Sequence, residues 1–442
     1  MSFMSLADKA AAQRAEMRKT VSKFRNQKAL TRASLKEGRG AKGNMSLAGY
    51  EFPYMQNVPH GSTALNPIGG TTAFGPMVPQ QLAKMFIGLT FAGFTVQFEH
   101  FHDYDARQGN APFDKFAQRN QVLQTYLQER NWYAIGKGDG ALAVITVGGG
   151  SGTITCAYDN TARGRSKGTV RLAVSPGTTA GRRVMYQSIT PATGVVTATF
   201  YITSKASATT AVIVVTDGGT TVAGDIIVKE GHYNLVEYGL GYHNDDDAAR
   251  VYQGISTATN SFARATAVDG ASGPPTPTLV NTAKLHCKVA GNDGNAGNAR
   301  IGRMTNGNYD SLSTFGYDLR LAKEDSMKTY GLPQHYEDGD TMWVIDEDFE
   351  DCEIHINDRN SLFYVRMHEI MEISKGDTQY LGSSGFGTTE FQQNWGEACN
   401  LAWDGRGDDA AEGVDGAPNT AVYIEGLEMP AITQVSRGQS LV

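Results

Sequence analysis

The spacing of apolar residues along the chain predicts one long helix and several shorter ones. Between residues 110 and 136, one face of the predicted helix is formed by Phe113, Phe116, Asn120, Leu123, Leu127 and Ala134. Positions three, four and seven apart lie on the same side of a helix, which here would be roughly 33 Å long. Sparser repeats predict amphipathic helices over residues 5–37, a short helix over 245–258 and a helix over 309–330.

Apolar residues that alternate with polar ones predict strands in much of the remaining chain. A long strand is predicted over residues 85–101, and further strands at 342–346, 353–357, 363–373 and 421–427. Residues 141–230 form a series of predicted short strands and turns: ALAVITV, GTITCAY, GTVRLAV, RRVMYQ, GVVTATFYI, TAVIVVT and DIIVK. Residues 49–82 contain five prolines and no helical repeat, which predicts an extended or looping segment.

The composition argues against several classes of protein. The chain has 442 residues, and its 51 glycines favour turns and short strands over a helical bundle. Its four cysteines, Cys156, Cys287, Cys352 and Cys399, form no Cys-x-x-Cys pair, so neither a disulfide framework nor a zinc knuckle is indicated. No stretch is apolar enough to span a bilayer, and the first residues lack the apolar core of a signal peptide. We therefore expect neither a membrane protein nor a secreted one.

Charge is distributed unevenly along the chain. Residues 1–44 hold eleven Lys or Arg and three Asp or Glu, which gives this segment a net charge of +8. The remaining residues have a net charge of −15, so that the whole chain has −7. A basic segment on an acidic body predicts that the segment contacts nucleic acid, an acidic partner or another copy of the chain.

Two short patterns suggest ligand binding, and each has a simpler structural interpretation. His100 and His102 share one face of the predicted strand, with Asp103 next, as at the beginning of a metal site. No third or fourth ligand is evident, so a polar pair at a strand end is the simpler interpretation. The glycines of residues 148–152 lack the Lys-Ser/Thr of a phosphate-binding loop and predict a hairpin turn.

Acidic residues are the remaining candidates for chemistry. His368-Glu369 begins like a metalloprotease motif, but Glu372 stands where the second histidine is needed, and the segment alternates as a strand does. Acidic runs occur at Asp245, Asp246 and Asp247, and at Asp346, Glu347, Asp348, Glu350 and Asp351. These runs lack the EF-hand spacing, and a catalytic carboxylate pair requires a separation that sequence does not give. We therefore interpret them as solvated turns or partners for the basic segment, and predict no catalytic, cofactor-binding or metal site.

The order of these elements resembles that of the major capsid proteins of tailed bacteriophages, which share the Hong Kong 97-type fold. The resemblance rests on a basic helical arm, a Pro/Gly-rich extended segment, a long strand and one long helix, followed by β-rich regions. The helix exit LQERNWYAIGKGDGALAVI is similar to the family's passage from spine helix to β-structure, and residues 223–231 and 239–270 resemble its turn-rich region before the axial helices. The β-rich residues 141–230 depart from the family as an inserted or enlarged subdomain, and no Lys/Asn pair is assigned to covalent cross-linking.

The resemblance implies an α+β chain of the Hong Kong 97-like fold, with six parts. These are an N-terminal arm (1–48), an extended loop and its flanking strand (49–100), the spine helix of the peripheral domain (101–145), a β-rich subdomain (146–235), an axial domain (236–345) and returning strands (346–442). The long helix over 110–136 would be the spine helix, and the segment 1–48 would reach a neighbouring subunit.

The implied function is that of a major capsid protein without catalytic activity or cofactor. It would self-assemble into pentamers and hexamers that form an icosahedral head around double-stranded DNA. Its expected partners are itself, the portal, decoration or scaffolding proteins, and packaged DNA bound non-specifically, with no membrane. The expected location is the virion, after assembly in the host cytoplasm. Two alternatives stay open, namely a β-rich carbohydrate-active hydrolase that uses acids near residues 338–351, and a non-viral encapsulating shell of the same fold.

Overall fold

The computed structural model describes most of the chain from Ala29 to Glu428. The described residues are 29–35, 44–46, 49–55, 82–99, 115–158, 167–175, 183–259, 263–287, 300–315, 320–321, 336–338, 341–359, 361–372, 379–383, 389–403 and 421–428. Many strands and few helices make an α+β fold, as expected from the sequence.

The described residues contain five helices. They are α1 (Leu30–Ser34), α2 (Lys115–Ile135), α3 (Leu240–His243), α4 (Pro277–His286) and α5 (Asn306–Thr314). Two of them begin at a threonine cap, because the hydroxyls of Thr276 and Thr305 accept hydrogen bonds from the backbone N–H groups of Leu279 and Asn308. In the part of the chain that the structure covers, none of the helices has the length and apolarity needed to cross a membrane.

The strands are numbered in chain order. They are β1 (Asn44–Ser46), β2 (Gly49–Met55), β3 (Leu82–Gly88), β4 (Thr90–Glu99), β5 (Ala141–Val147), β6 (Gly152–Cys156), β7 (Tyr186–Thr190), β8 (Val195–Lys205), β9 (Thr210–Val215), β10 (Ile226–Lys229), β11 (Val251–Tyr252), β12 (Ile255–Ser256), β13 (Thr266–Asp269), β14 (Arg300–Met304), β15 (Arg320–Leu321), β16 (Tyr336–Asp338), β17 (Thr341–Ile345), β18 (Ile354–Asp358), β19 (Leu362–Glu372), β20 (Gln379–Ser383), β21 (Thr389–Trp403) and β22 (Ala421–Glu425).

A hairpin and a second sheet share one nearly continuous stretch of extended chain. Strands β1, β2 and β3 form a three-stranded antiparallel sheet in which Gly49 pairs with Gly88 and Met55 with Leu82. After Leu89 the chain continues as β4, which pairs along its whole length with the 15-residue β21. Strands β19 and β20 also pair with β21, and α2 packs against β4.

A seven-stranded mixed sheet forms another layer of the molecule. Its strand order is β13-β22-β18-β14-β17-β16-β15, and the pairs β13–β22 and β14–β17 are parallel while the others are antiparallel. The apolar side of α4 contributes Val280 and Ala283 to the core beneath this sheet, where Trp343 is fully buried. This burial drives the packing of helix on sheet.

Residues 141–229 close into a six-stranded barrel. The strand order is β10-β5-β6-β9-β8-β7, and every neighbouring pair is antiparallel. Its interior is filled by side chains that alternate with outward-facing residues, among them Ile145, Ile154, Phe200 and Ile213. Closure leaves no unpaired edge strand, and both chain connections leave the barrel near the end of α2.

Most of the predicted regular elements are confirmed within the described residues. The long helix is observed over Lys115–Ile135, the predicted strand at 85–101 is observed as β3 and β4, and the strands of residues 342–373 are observed as β17, β18 and β19. The alternating segments of residues 141–230 form the barrel, with the GTVRLAV exception below, and residues 148–152 form the predicted turn between β5 and β6. The helix predicted over 5–37 lies outside the described residues except for Ala29–Leu35.

Three predicted elements are wrong. The segment GTVRLAV forms turns, because Lys167 O and Thr169 O accept turn hydrogen bonds from Val170 N and Leu172 N. Residues 245–258 form no helix, because the carboxylates of Asp245 and Asp247 accept hydrogen bonds from backbone N–H groups two residues on and stabilise turns instead. The helix predicted over 309–330 ends at Thr314, and residues 320–321 form β15. Helix α4 and the strands β14, β20 and β21 were not predicted.

Candidate functional site

The seven residues 29–35, which we call the arm segment, are held inside the folded body. Ala29 is fully buried and Leu35 is almost so, and α1 lies between them. Leu30 and Ala33 pack against apolar residues of β14 and β17. The end of the basic N-terminal region is therefore part of the core and not a free extension.

Three buried charged side chains surround Arg32, and we call the four residues Arg32, Arg130, Glu237 and Glu397 the charge cluster. Arg32 Nη2 lies 2.8 Å from Glu397 Oε1 and 3.6 Å from Glu237 Oε2. Arg130 Nη2 lies 2.8 Å from Glu237 Oε2, and its Nε lies 3.3 Å from Glu397 Oε1. Each carboxylate therefore contacts both arginines, and the two positive charges balance the two negative ones.

The charge cluster is electrically neutral, and it is shielded from water. All four side chains are at most 2% exposed. Burial lowers the pKa of Arg32, but the carboxylates of Glu237 and Glu397 raise it by more, so the pKa lies well above its ordinary value. The pKa of Arg130 is raised in the same way, chiefly by Glu237. Such a cluster is stable only while every member is present, because an unpaired buried charge is costly.

Three uncharged polar side chains complete the surroundings of the charge cluster. The hydroxyl of Tyr126, on α2, donates a 2.9 Å hydrogen bond to Glu397, and the ring of Tyr364 lies 5.1 Å from the guanidinium carbon of Arg32. The Cys399 thiol lies 3.4 Å from Arg32 Nη2. Burial, followed by the charge of Glu397, raises the pKa of Cys399 to about 11, so this thiol is unsuited to nucleophilic chemistry.

The acidic turn at residues 346–351 forms the second contact of the arm segment. Asp346 Oδ2 accepts hydrogen bonds from Thr31 N at 2.9 Å and from Thr31 Oγ1 at 2.6 Å. The same oxygen accepts a bond from Asn131 Nδ2 at 2.9 Å, and Asn131 Oδ1 in turn accepts one from Arg32 N at 3.0 Å. One carboxylate thus joins the arm segment, α2 and the end of β17.

The other end of the acidic turn fastens the barrel. Arg171 pairs with Glu350 at 2.6 Å and donates to the Asp348 carbonyl at 2.8 Å. Lys167 Nζ lies 2.9 Å from Asp351 Oδ2. The arm segment, the long helix, the barrel and the mixed sheet consequently meet at the charge cluster and the acidic turn, which together we call the junction.

A buried arginine ties the arm segment to the mixed sheet as well. Arg303, on β14, donates from Nε to Ser34 Oγ at 2.8 Å and from Nη1 to Asn357 Oδ1 at 2.9 Å. The Ser34 hydroxyl donates onward to the Thr31 carbonyl at 2.6 Å. Burial lowers the pKa of Arg303, and the charge of Asp346 raises it by less.

Hydrogen bonds continue from Asn357 across the sheet. Asn357 Nδ2 donates to Asn244 Oδ1 at 3.2 Å, and Asn244 Nδ2 lies 2.6 Å from His355 Nδ1. His355 Nε2 lies 2.8 Å from Glu353 Oε2. The two ring nitrogens of His355 therefore face an amide on one side and a carboxylate on the other. The position of the arm segment is thereby linked to a polar network that the sequence did not reveal.

The acidic candidates from the sequence have structural roles. Asp346, Glu350 and Asp351 are buried and hold the arm segment and the barrel, while Glu347 accepts a hydrogen bond from Asn306. These partners oppose the hydrolase alternative, because its acids would have to face a substrate. Burial and the charge of Asp346 raise the pKa of Asp348, but this carboxylate lies within the junction.

The remaining candidates form no ligand site among the described residues. Asp245 pairs with Lys137 at 3.6 Å, Asp246 accepts a hydrogen bond from Tyr423 at 3.3 Å, and the Asp247 carbonyl accepts one from Thr257. His368, Glu369 and Glu372 lie on the strand β19, so the helical metalloprotease geometry is absent. No group of three or more metal-ligating side chains is found in the described parts of the chain. His100, His102 and Asp103 lie outside the described residues.

Sequence reasoning missed all four members of the charge cluster. Arg130 lies on the face of α2 that carries Tyr126, Leu127 and Ala134, and Glu397 is the one charged residue in the largely apolar segment WGEACNLAW. A single charge within an apolar stretch is the signal that marks a buried partner, because such a residue is rarely buried unpaired. This signal marks Arg130 and Glu397, but it does not show which residues they pair with.

The comparisons with known proteins find similarity in structure but none in sequence. No protein-family model matches the chain, and no curated protein matches it in sequence. Among solved structures, the chain is similar to the capsid asymmetric unit of cyanophage A-1(L), with 10% identity, a TM-score of 0.47, and coverage of 90% of this chain and 92% of the other.

Two further solved structures show a similar extent of overlap. The capsid asymmetric unit of cyanophage Pam1 has 9% identity and a TM-score of 0.38, with 89% of each chain covered. The structure titled Mycobacterium phage Patience has 9% identity and a TM-score of 0.40, with 96% of this chain and 89% of the other covered. At these scores the likeness does not assign a function to this chain.

Proposed function

We propose that the chain is the major subunit of an icosahedral shell, which self-assembles into pentamers and hexamers around a double-stranded DNA genome. The observation that carries this proposal is that the body firmly holds one end of each of two segments. One is the N-terminal arm, fixed at the junction, and the other is the β2–β3 hairpin. A subunit that tiles a closed surface needs such segments, because contacts between compact bodies alone are local.

The hairpin is anchored at one end. Near its base, Tyr50, Met85 and Ile87 are buried in the main core, and Phe86 N donates to the Gln253 carbonyl at 2.9 Å. Farther along, the Lys84 side chain is 76% exposed, and its ion pair with Glu51 lies at the surface. The hairpin therefore runs from the buried core to the exposed surface at Lys84, and we propose that this part of the hairpin contacts a neighbouring subunit.

We propose residues 1–28 as the second segment that contacts a neighbouring subunit. Residues 1–28 contain seven Lys or Arg and two Asp or Glu, and they precede a residue, Ala29, that is fully buried. The rest of the chain is acidic. A basic segment that starts at a fixed point is attracted to the acidic surface of an adjacent copy, and this attraction weakens as salt rises. Contact with packaged DNA is the other outcome.

The domain division is part of the same proposal. The barrel of residues 141–229 would be a subdomain inserted between the spine helix and the axial domain, and the six segments proposed from the sequence would keep their order. Lys167 and Arg171 fasten this insertion to the acidic turn. In a phage, the partners would be a portal protein, decoration or scaffolding proteins and the packaged DNA. The particle would assemble in the host cytoplasm, and the mature protein would be located in the virion.

Electron microscopy and sedimentation of the purified chain test the proposal. Closed particles of uniform size are expected for the full chain, and a species that stays monomeric under all assembly conditions would contradict it. Nucleic acid extracted from particles made in cells separates a genome shell from a non-viral encapsulating shell. The catalytic alternative predicts carbohydrate hydrolysis without particles.

The role of the arm is tested with a truncation that ends before Ala29. Removing residues 1–44 also removes Thr31 and Arg32 from the junction, so this longer truncation would unfold the body and would not isolate the arm's role. Removal of residues 2–28 leaves the junction intact, and we expect a folded monomer that forms no closed shells. A matched variant keeps the full length but has glutamine at the seven basic positions. Normal particles from both variants would refute the role of the arm.

A further inference from the structure

The barrel has two chemically different ends. One end, at the start of β5 and the end of β10, is joined to α2 and to the acidic turn. The opposite end, which we call the tip, consists of three turns with the strand residues beside them, at residues 147–152, 190–197 and 216–225. Hydrogen bonds between these turns show that they lie side by side, because Thr221 N donates to Gly149 O at 2.9 Å and Thr220 N to Thr197 O at 3.1 Å.

The tip exposes apolar side chains. Its valines Val147, Val195, Val196 and Val222 are 58%, 57%, 43% and 50% exposed. Together they present on the order of 300 Å² of apolar surface, which is the size at which such patches begin to mark interaction sites. Valines scattered singly over a surface need no explanation, but these four surround one end of one barrel.

The tip is also almost free of charge. Residues 144–155, 188–199 and 213–226 contain no Lys or Arg, and their only acids are Asp217 and Asp225. Asp225 is buried and accepts hydrogen bonds from three hydroxyl groups, those of Ser188, Thr190 and Thr197. The carboxylate of Asp217 accepts bonds from the backbone N–H groups of Thr199 and Gly219. Both negative charges are thus engaged within the barrel.

The turns of the tip have a defined shape. A side chain at Gly148 would place its Cβ 2.3 Å from the Thr221 carbonyl oxygen, and one at Gly219 would lie 2.2 Å from that of Thr197. Glycine is therefore required where the turns pack together. The Thr221 hydroxyl accepts a 2.9 Å bond from Gly149 N. An apolar surface that is ordered before binding loses little conformational entropy on association.

We propose that the tip binds the tip of a second copy of this chain across a two-fold axis of the shell. This inference rests on the proposed function. Two chains that each have a net charge of −7 repel one another, and an uncharged surface is where identical copies meet without that cost. A self-complementary patch gives the isologous contact that a two-fold axis requires.

The size of the patch decides when this contact forms. Two tips would bury on the order of 600 Å² of apolar surface, which is less than a stable isolated complex requires. The tips therefore pair only among copies that other contacts already hold close together, where the effective concentration is high. Contacts between tips alone therefore do not dimerise the unassembled chain.

Cysteine cross-linking in assembled particles tests the pairing. The four native cysteines are buried, so a single introduced thiol is the main reactive one. We would make Val147→Cys, Val195→Cys, Val196→Cys and Val222→Cys, and as matched control Val174→Cys, an exposed valine near the attached end of the barrel. Particles treated with oxidant, or with a bismaleimide for thiols beyond disulfide reach, are analysed by non-reducing electrophoresis and peptide mass spectrometry.

The expected result is that at least one tip variant yields a covalent dimer linked between the same position of two copies, whereas the control yields none. Particles in which no tip position is linked, or in which the tip is linked to another segment of the chain or to another protein, would overturn the proposal. A charged variant tests the tip pairing without cross-linking. Val195→Lys should lower the melting temperature of particles more than Val174→Lys does, and equal effects would contradict tip pairing. If the unmodified chain forms no particles, the proposed function itself fails.

Discussion

Replacing Arg32 by methionine should destabilise the whole body, because it leaves an uncompensated charge in the junction. Arg32 contacts Glu397 at 2.8 Å and Glu237 at 3.6 Å. Without it, Arg130 alone faces two carboxylates that are fully shielded from water. Removal of one partner of a buried ion pair typically costs about 3–5 kcal/mol of unfolding free energy, a large part of the about 5–15 kcal/mol that a folded domain has.

The measurement is urea unfolding of the purified, unassembled chain, followed by tryptophan fluorescence. The matched control is Lys84→Met, because Lys84 also pairs with a glutamate but at the surface, with 76% of its side chain exposed. An exposed ion pair contributes about 0–1 kcal/mol. We therefore expect a large decrease of the urea midpoint for Arg32→Met and almost none for Lys84→Met.

A double variant separates the charge from the packing of the side chain. Arg32→Met combined with Glu397→Gln restores electrical neutrality, so it should be more stable than Arg32→Met alone. The coupling energy of this double-mutant cycle reports the interaction of the two residues directly. If Arg32→Met lowers the midpoint no more than Lys84→Met does, or if the double variant loses further stability, the charge balance of the junction is not what holds the arm segment.

Three further outcomes follow from the structure. Burial, followed by the charge of Arg250, lowers the pKa of His243 to about 3. The stability that this neutral histidine permits above pH 6.5 is therefore lost as the pH falls, by about 2 kcal/mol at pH 5. Urea unfolding of His243→Gln at pH 7 and pH 5 should lack this contribution to the loss of stability. Gly302→Ala should lower the melting temperature strongly, because the new Cβ would lie 2.2 Å from the Trp343 ring. Gly149→Ala should not, because no atom lies within 4 Å of its new Cβ. Equal shifts of the melting temperature would contradict the packing of Gly302 against Trp343. Native thiols should react with a maleimide only after unfolding, because all four are buried, and rapid labelling of the folded chain would count against this core.

The sequence predicted the regular elements well where a local repeat governs them. The periodic face of α2 and the alternation in the barrel strands both depend on neighbours a few residues away, and both elements formed as expected. Prediction was wrong where side chains compete for the backbone, as with Asp245 and Asp247, which stabilise turns in place of a helix. It was also wrong for GTVRLAV, where Lys167 and Arg171 bind the acidic turn.

The candidate site was predicted only in part. The basic arm and the acidic run were both evident, and their possible contact was among the interpretations of the sequence. Asp346 does bind the arm segment, but through Thr31 and not through a basic side chain. The charge cluster was not predicted, because no local pattern indicates which glutamate an arginine on a helix will meet.

The sequence by itself determined that this chain has a basic N-terminal region on an acidic body, one long amphipathic helix and many short strands. These features depend on composition and on periodicity, which are local properties. Only the tertiary structure decided that Arg32 meets Glu397 across 365 positions and that four valines from three turns share one barrel tip. Such meetings depend on how whole elements pack, because the free energy of burying charge or apolar surface is set by neighbours in space and not in sequence.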